Sequence, residues 1–187
     1  MQTRTGDSLT DPGQFVIGCN YWASHAGTAM WSDWRPGVIA QDLQQLSAGG
    51  LQVLRVFPLW PDFQPLHYLY TGQGKVRELR LGESPLPDDE MGKAGLSKEM
   101  MARFAEFANL ADKYGLKLLV GLVTGWMSGR LFVPPAFEKM NVLTDPVAIK
   151  WQSRFVREFV RQFKIHPAIL AWDLGNECNV MAPVPSS

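Results

Sequence analysis

Polar and aromatic residues suited to sugar chemistry follow four apolar segments of this chain. Glu177 carries a carboxyl group that can donate or accept a proton, and the Asn176 amide and Arg55 guanidinium can hydrogen-bond hydroxyls. Indole rings can cover the apolar face of a sugar ring. The remaining candidates for substrate contact are Trp22, Trp60, Trp126 and Asn20. Any one of these tryptophans could instead pack a loop, so the prediction depends on their convergence.

The segments that position these residues alternate between apolar runs and amphipathic stretches. Apolar runs of strand length occupy residues 14–22, 51–60, 117–124 and 168–175. Amphipathic stretches with helix-start signals lie between them, at residues 34–48, 97–115 and 145–166. The alternation predicts an α/β fold, a β-α-β-α-β-α-β unit with a parallel sheet and right-handed crossovers. Because the carboxyl ends of parallel strands share one edge, we expect the candidate residues to face one mouth.

The number of strands leaves two interpretations of this sheet. Four strands form either a small open sheet or the first half of a (β/α)8 barrel, the TIM barrel, whose usual length is about 250 residues. We expect a single half-barrel domain over residues 1–187, with an N-terminal extension at 1–13 and a tail at 180–187. Residues 61–96, which are rich in proline and glycine, are expected to form a long irregular loop.

Composition narrows the classes of partner. The 18 basic and 18 acidic side chains give a formal net charge of zero, which argues against nucleic acid or an anionic membrane as partner. No segment approaches the ~18 consecutive apolar residues of a membrane-spanning helix. Residues 1–13 contain no apolar signal region, so we expect either no secretory signal or one already removed. Localisation therefore stays open between the cytoplasm and a processed chain.

The sequence gives no reason to expect a metal or another cofactor. His25, His67 and His166 lie in separate segments, and Cys19 and Cys178 are far apart, so no ligand spacing is present. A nucleotide-binding α/β domain would have a glycine-rich phosphate loop after its first strand. The bulky segment GCNYW at 18–22 has no such loop, which disfavours an open α/β domain unrelated to sugars.

Four short segments carry a resemblance to a known family. They are WDLGNE at 172–177, GCNYW at 18–22, LRVF at 54–57 and DFQP at 62–65. Together they resemble the retaining glycoside hydrolases of the (β/α)8 clan, and most of all glycoside hydrolase family 5, the cellulase and mannanase family. The resemblance covers residues 14–179 and corresponds to the N-terminal half of such a barrel.

The resemblance implies a role for each matching residue. Glu177 would be the general acid/base, and Asn176 would bond the sugar 2-hydroxyl. Arg55 would lie beneath the catalytic nucleophile and hold it ionised, while Asn20 and the rim tryptophans would contact the substrate. The family often has a histidine near the end of the third strand, where this chain has the segment TGW at 124–126.

Glycosidic cleavage uses two carboxyl groups, and the chain supplies only one at the expected place. The two groups lie about 5–5.5 Å apart in retaining enzymes and about 6.5–9.5 Å apart in inverting ones. Asp173 precedes Glu177 by four residues, roughly 13 Å along a strand, and is expected to be a buried, paired group. The resembled family carries its nucleophile on a seventh strand, beyond the four strands predicted here. The expected partners are therefore a carbohydrate substrate and a second half-barrel.

Three interpretations of the missing half stay open. The chain is a piece of a longer glycosidase, or two copies pair edge to edge into a two-fold symmetric barrel. In the third interpretation the chain is a non-catalytic carbohydrate-binding half-barrel module. The oligomeric state and saccharide-binding isotherms distinguish the three.

Overall fold

The structure, a computed structural model, describes Leu9 and residues 12–181. Most of the predicted N-terminal extension at 1–13 and most of the predicted tail at 180–187 lie outside these residues. The strands are β1 (Gly18–Asn20), β2 (Val53–Val56), β3 (Leu66–Tyr70), β4 (Val76–Leu81), β5 (Ser84–Pro85), β6 (Lys117–Val123), β7 (Trp126–Met127), β8 (Arg130–Leu131) and β9 (Ile169–Gly175). The helices are α1 (Pro36–Ala48), α2 (Trp60–Phe63), α3 (Glu90–Lys93), α4 (Lys98–Lys113) and α5 (Pro146–Phe163).

A four-stranded parallel sheet organises the structure. Its strand order is β1-β2-β6-β9, and every neighbouring pair is parallel. The three long helices α1, α4 and α5 connect successive strands of this sheet. Spatial order that follows chain order, with a helix after each strand, is the arrangement of a (β/α)8 barrel. The predicted fold class, the first half of such a barrel, is confirmed.

The three long helices begin where local sequence signals predict. Pro36 occupies the first turn of α1, where its missing N–H costs no hydrogen bond. The Ser97 hydroxyl accepts a hydrogen bond from the Met100 N–H at the start of α4. The Asp145 carboxylate accepts from the N–H groups of Val147 and Ala148 at the start of α5. These helix starts fix where the helical part of each strand-to-strand connection begins.

The core lies between the outer face of the sheet and the helices. An aromatic stripe on α5 is buried, and its members are Trp151, Phe155, Phe159 and Phe163. The Phe159 ring meets Phe104 of α4 at 4.7 Å between centroids and Trp172 of β9 at 6.3 Å. The stripe therefore packs the helices onto the sheet, as its four-residue spacing predicts.

The inner face of the sheet is less covered than the outer face. On β2, Leu54 and Val56 point to the helices and are buried, whereas Val53 and Arg55 point the other way and are partly exposed. On β9, Ala171 is exposed on this inner side. The Arg55 side chain on this inner face is 24% exposed, so its guanidinium remains accessible to solvent.

The prediction that residues 61–96 form an irregular loop is wrong. Strands β3, β4 and β5 form an antiparallel sheet there, preceded by α2 and followed by α3. Tyr68 and Tyr70 are two residues apart on β3, and the turn to β4 contains Gly74 in a left-handed conformation. The dense prolines and the acidic run masked this period-two pattern. Within that run, the Asp89 side chain accepts from the Gly92 N–H and begins α3.

Candidate active site

Arg55 is the centre of a polar cluster on the inner face of the sheet. Its Nε donates to Asp173 Oδ2 at 2.9 Å, and its Nη2 donates to the same carboxylate. Its Nη1 donates to Asn176 Oδ1 at 3.0 Å. The Arg55 and Asp173 side chains are 24% and 30% exposed, so the pair is partly shielded from water. Since β6 lies between β2 and β9, the guanidinium ties two non-adjacent strands together.

Two hydrogen bonds fix the turn that follows β9. The Asn176 side-chain amide donates to the carbonyl oxygen of Trp126 at 2.9 Å, and the Gly175 N–H donates to Asp173 Oδ1 at 3.2 Å. Glu177 follows in a left-handed conformation, with φ 48° and ψ 44°. That conformation costs a non-glycine residue roughly 1–2 kcal/mol, so the surrounding hydrogen bonds must hold it.

The Glu177 carboxyl group is available for chemistry. The residue is exposed, and no hydrogen bond or ion pair occupies its carboxylate within the described ranges. The acid therefore sits next to an anchored amide while its own oxygen atoms remain accessible. A general acid must reach the leaving-group oxygen of its substrate, and this position allows such an approach.

Aromatic side chains form a stack beside the guanidinium. The Arg55 guanidinium lies over the Phe57 ring, 4.6 Å from its centroid. Trp22 stacks on Phe57 with 5.3 Å between ring centroids and an angle of 18° between the ring planes. A Cβ at Gly121 would come within 2.9 Å of the Phe57 ring, so this glycine leaves the space that the ring occupies. The partly exposed Trp22 is thereby connected to the polar cluster.

Asn20 lies beside Arg55 at the edge strand. The two residues are partners in the register of β1 and β2. Both line a concave space of about 320 Å³ on the inner side, together with Leu119 of β6. The structure therefore brings Asn20, Arg55 and Asn176 into one cluster, and it places Trp22 and Trp126 in contact with that cluster.

Trp60 is the sequence-predicted site residue that does not join the cluster. Its side chain has no exposed surface, and its indole N–H donates to Gln64 Oε1 at 2.7 Å. The ring stacks on Phe137 at 5.6 Å between centroids. The prediction that Trp60 contacts sugar is wrong, because α2 begins at this residue and turns the indole into the core.

Two residues of the cluster, Phe57 and Asp173, were not among the predicted site residues. Phe57 supports both Arg55 and Trp22, and its position two residues after Arg55 on the same face of the chain was the available signal. Asp173 was expected as a buried, paired group. It is paired, with Arg55, but it remains partly exposed because the inner face is open.

Asp62 and Asp33, two further acidic residues outside the parallel sheet, have different surroundings. Burial raises the pKa of Asp62, on the short helix α2, from 3.8 to about 6. Asp33 forms a bidentate ion pair with Arg35, and that hydrogen-bonded guanidinium lowers the pKa of Asp33. Among the described residues, neither carboxylate hydrogen-bonds to Arg55 or Asn176. These two carboxyl groups therefore do not take part in the hydrogen bonds of the polar cluster.

Residues 12–181 contain neither a metal-binding cluster nor a membrane-spanning helix. No group of three or more histidine, cysteine, aspartate or glutamate side chains there is arranged to hold a metal ion. Cys19 and Cys178 are free thiols at the surface. The helices described in that range are each too short or too polar to cross a bilayer.

Four parallel strands in barrel order, with the polar cluster at their carboxyl ends, define a partial (β/α)8 barrel. Comparison with solved structures places this chain beside glycoside hydrolases of family 5. An exo-β-1,4-mannosidase from Opitutaceae bacterium strain TAV5 matches 89% of this chain with 28% identity and a TM-score of 0.68. The match covers 26% of that mannosidase.

Two further neighbours belong to the group named GH5_18. One, from Streptomyces cattleya, was solved in complex with Manβ1-4GlcNAc and matches 91% of this chain at 24% identity with a TM-score of 0.71. The other, from Bifidobacterium longum subsp. longum, matches 91% of this chain at 25% identity with a TM-score of 0.71. The matches cover 36% and 35% of those proteins.

The coverage values agree with a partial barrel. This chain spans between a quarter and two fifths of the length of the mannosidase and GH5_18 proteins that it matches. The resemblance to the N-terminal part of family 5 glycoside hydrolases is confirmed. No protein-family model matches the chain, and no curated protein matches it in sequence.

Proposed function

We propose that this chain carries the acid/base half of a glycosidase site for β-linked mannosides. The observation that carries the proposal is the hydrogen bond from Arg55 to Asn176, which anchors the turn bearing Glu177 to the inner face of the sheet. The similarity to an exo-β-1,4-mannosidase and to a GH5_18 protein solved with Manβ1-4GlcNAc supports mannosides as the substrate class.

In this proposal Glu177 is the general acid/base. It gives a proton to the glycosidic oxygen as the bond to the leaving sugar breaks, and it later takes a proton from the attacking water. Asn176 keeps one amide N–H and lone pairs on its oxygen beyond the two hydrogen bonds already made, and these can bond the sugar 2-hydroxyl. Trp22, Trp126 and Asn20 supply further contacts to the substrate.

The nucleophilic carboxylate comes from a second half-barrel. Asp173 cannot serve, because its carboxylate is engaged by Arg55 and by the Gly175 N–H. In a complete barrel Arg55 lies beneath the nucleophile and favours its ionised form. The second half is either the remainder of a longer protein or a second copy that pairs with the open edges at β1 and β9.

A non-catalytic carbohydrate-binding half-barrel is the second candidate function. The favouring observation is that Asp173, the carboxylate on the strand that leads to Glu177, is engaged by Arg55 and by the Gly175 N–H. An aromatic and amide-lined surface without a nucleophile would still bind sugars. This candidate predicts saccharide binding and no turnover in any oligomeric state.

The substitution Glu177→Gln tests the proposal. We expect the protein to hydrolyse an aryl β-mannoside only in a species with a complete barrel, and the substitution to reduce that turnover by about 10²–10⁴-fold. Binding of β-1,4-mannobiose should be unchanged, because the amide keeps the size of the carboxyl group. The measurements are turnover, calorimetric binding, and mass by light scattering on the same preparation.

Glu83→Gln is the matched control, since Glu83 is an exposed glutamate in the β4–β5 turn. It should leave turnover and binding unchanged. Undiminished turnover in Glu177→Gln would reject the acid/base role. Mannobiose binding without turnover in every species would favour the non-catalytic module, and absence of binding would reject both functions.

A further inference from the structure

A second aromatic surface lies on the insertion after β2. Tyr68 and Tyr70 of β3 lie on the same strand face, with 6.2 Å between their ring centroids and 65° between their planes. Tyr70 is 55% exposed, and Tyr68 is partly buried. The two rings form a corner rather than a flat patch, and one side of that corner is open to solvent.

The corner forms one wall of a groove. The opposite wall is the 3-10 turn Pro135–Phe137 and the two charged residues that follow, Glu138 and Lys139. The space between these walls, here called the hairpin groove, has a volume of about 310 Å³. This volume lies at the lower end of the range for small-ligand sites, ~300–1,000 Å³.

The topology places the hairpin groove at the same end of the parallel strands as Glu177. The hairpin belongs to the connection that leaves the carboxyl end of β2, and the 3-10 turn belongs to the connection that leaves the carboxyl end of β6. Glu177 follows the carboxyl end of β9. Because the strands are parallel, all three connections emerge at one end of the barrel.

The lining of the groove matches a neutral polyhydroxylated ligand. The tyrosine rings offer faces for the C–H side of a sugar, and their hydroxyls can make hydrogen bonds at the same time. Glu138 adds an acceptor and Lys139 a donor, and their opposite charges leave no net charge to select an ion. Val76 and Met140 complete the lining, so the groove offers apolar contact and hydrogen bonds together, which suits the amphipathic surface of a sugar.

We propose that the hairpin groove binds a β-linked manno-oligosaccharide at a distance from the cleavage site, with Tyr68 and Tyr70 as stacking platforms. The identity of the saccharide rests on the proposed function, whereas the groove itself does not depend on Glu177. A saccharide long enough to reach both surfaces is then held at two places. Its affinity exceeds that of a disaccharide, which reaches only one of them.

The experiment is an NMR titration of the chain with β-1,4-mannotetraose, followed through backbone amide signals and tryptophan indole N–H signals. We expect shifts in β3 and in the segment 135–140. Tyr70→Ala should weaken that binding about tenfold, equivalent to about 1.4 kcal/mol. Tyr70 is the first choice because its exposure makes truncation tolerable, and Tyr68→Ala provides the second variant.

Tyr114→Ala is the control. Tyr114 is a partly buried tyrosine at the carboxyl end of α4, on the opposite end of the sheet from the rim loops. It should bind mannotetraose as the unmodified chain does. Unchanged affinity in both Tyr68→Ala and Tyr70→Ala, or no shifts in β3 at millimolar saccharide, would overturn the proposal.

The indole signals of Trp22 and Trp126 separate this proposal from the proposed function. Shifts in the hairpin groove without indole shifts would support the groove and count against sugar contacts at the rim. Indole shifts without groove shifts would overturn the groove alone. A change of oligomeric state in Tyr70→Ala, with saccharide binding intact, would show that a second copy occupies the groove and would also overturn the proposal.

Discussion

At the residue scale, the cluster depends on the shape of the Arg55 guanidinium. Its planar fork donates to Asp173 through two nitrogen atoms and to Asn176 through a third, while its face rests on Phe57. A lysine has a single ammonium group on a flexible stem and cannot reproduce this geometry. The position of the turn that bears Glu177 therefore follows from the chemistry of one side chain.

We expect Asp173→Asn to loosen this turn and lower the free energy of unfolding by about 1–2 kcal/mol. The substitution removes the charge that balances the partly buried guanidinium, and it weakens the acceptor for Arg55 Nε. Urea denaturation measures the stability change. The NMR signal of the Arg55 Nε–H reports whether the guanidinium has lost its fixed position.

Asp33→Asn is the matched control for that experiment. It breaks the same kind of bidentate aspartate–arginine pair, but the Arg35 and Asp33 side chains are 58% and 44% exposed, more than those of Arg55 and Asp173. Exposed pairs contribute less to stability, so a smaller loss than in Asp173→Asn is expected. Equal stability losses in the two variants, or an unchanged Arg55 signal in Asp173→Asn, would contradict the role assigned to Asp173.

At the element scale, the short helix α2 decides which side chains enter the core. Trp60 and Phe63 of this helix are both buried. Asp62, which lies between them in the sequence, is poorly solvated. Burial favours the neutral carboxyl group, which is why the pKa of Asp62 is raised to about 6. A surface loop at this place would have left the tryptophan and the aspartate exposed.

This burial predicts a pH dependence of stability. The folded state binds a proton at Asp62 more tightly than the unfolded state does, so the contribution of Asp62 to stability is greatest below about pH 4. It is lost as the pH rises through about 6, by up to about 3 kcal/mol. Asp62→Asn should remove this loss, measured as the difference in the free energy of unfolding between pH 4 and pH 7.

Asp33→Asn is again the control, because the pH dependence of stability due to Asp33 has the opposite sign. Because Arg35 lowers the pKa of Asp33, the contribution of Asp33 to stability is present at neutral pH and lost on acidification. A pH profile of Asp62→Asn that coincides with that of the unmodified chain would show that Asp62 is not desolvated in the folded state.

At the scale of the whole molecule, the sheet ends in two strands with one neighbour each. β1 and β9 are the edges, and apolar side chains are exposed beside them: Phe15, Ile17 and Leu174. In a complete barrel both edges would be paired and these side chains would be covered. An open edge with adjacent apolar surface favours association with another polypeptide segment.

We expect Leu174→Lys to reduce self-association without lowering the free energy of unfolding of the monomer. Leu174 lies on β9 with 75% of its surface exposed, so a charge there costs little in the monomer but opposes burial at an interface. Sedimentation velocity over a range of concentrations measures the effect. Ile149→Lys, on the exposed side of α5, is the control and should leave association unchanged.

A chain that stays monomeric at every concentration would contradict the pairing of two copies. The proposal would then depend on a longer protein for its second half. Association that persists equally in Leu174→Lys and in the unmodified chain would place the interface away from β9.

Local patterns sufficed to predict the parallel α/β sheet and much of the polar cluster, whereas the choice of a half-barrel over a small open sheet rested on the family resemblance. Apolar runs separated by capped helices specify parallel strands, and the ends of those strands identify Arg55, Asn176 and Glu177. These signals are local because period and capping act within one element. The two-residue spacing of Tyr68 and Tyr70 was also present, but neighbouring prolines and charges obscured it.

Burial and long-range pairing were decided only by the tertiary structure. No local signal distinguishes Trp60, whose indole α2 turns into the core, from Trp22, whose ring stays at the rim. Likewise, the bond from Arg55 to Asp173 joins residues 118 positions apart, and it exists because β2 and β9 lie on either side of β6. Contacts of this kind depend on how elements stack and on what covers them, which a single stretch of sequence does not encode.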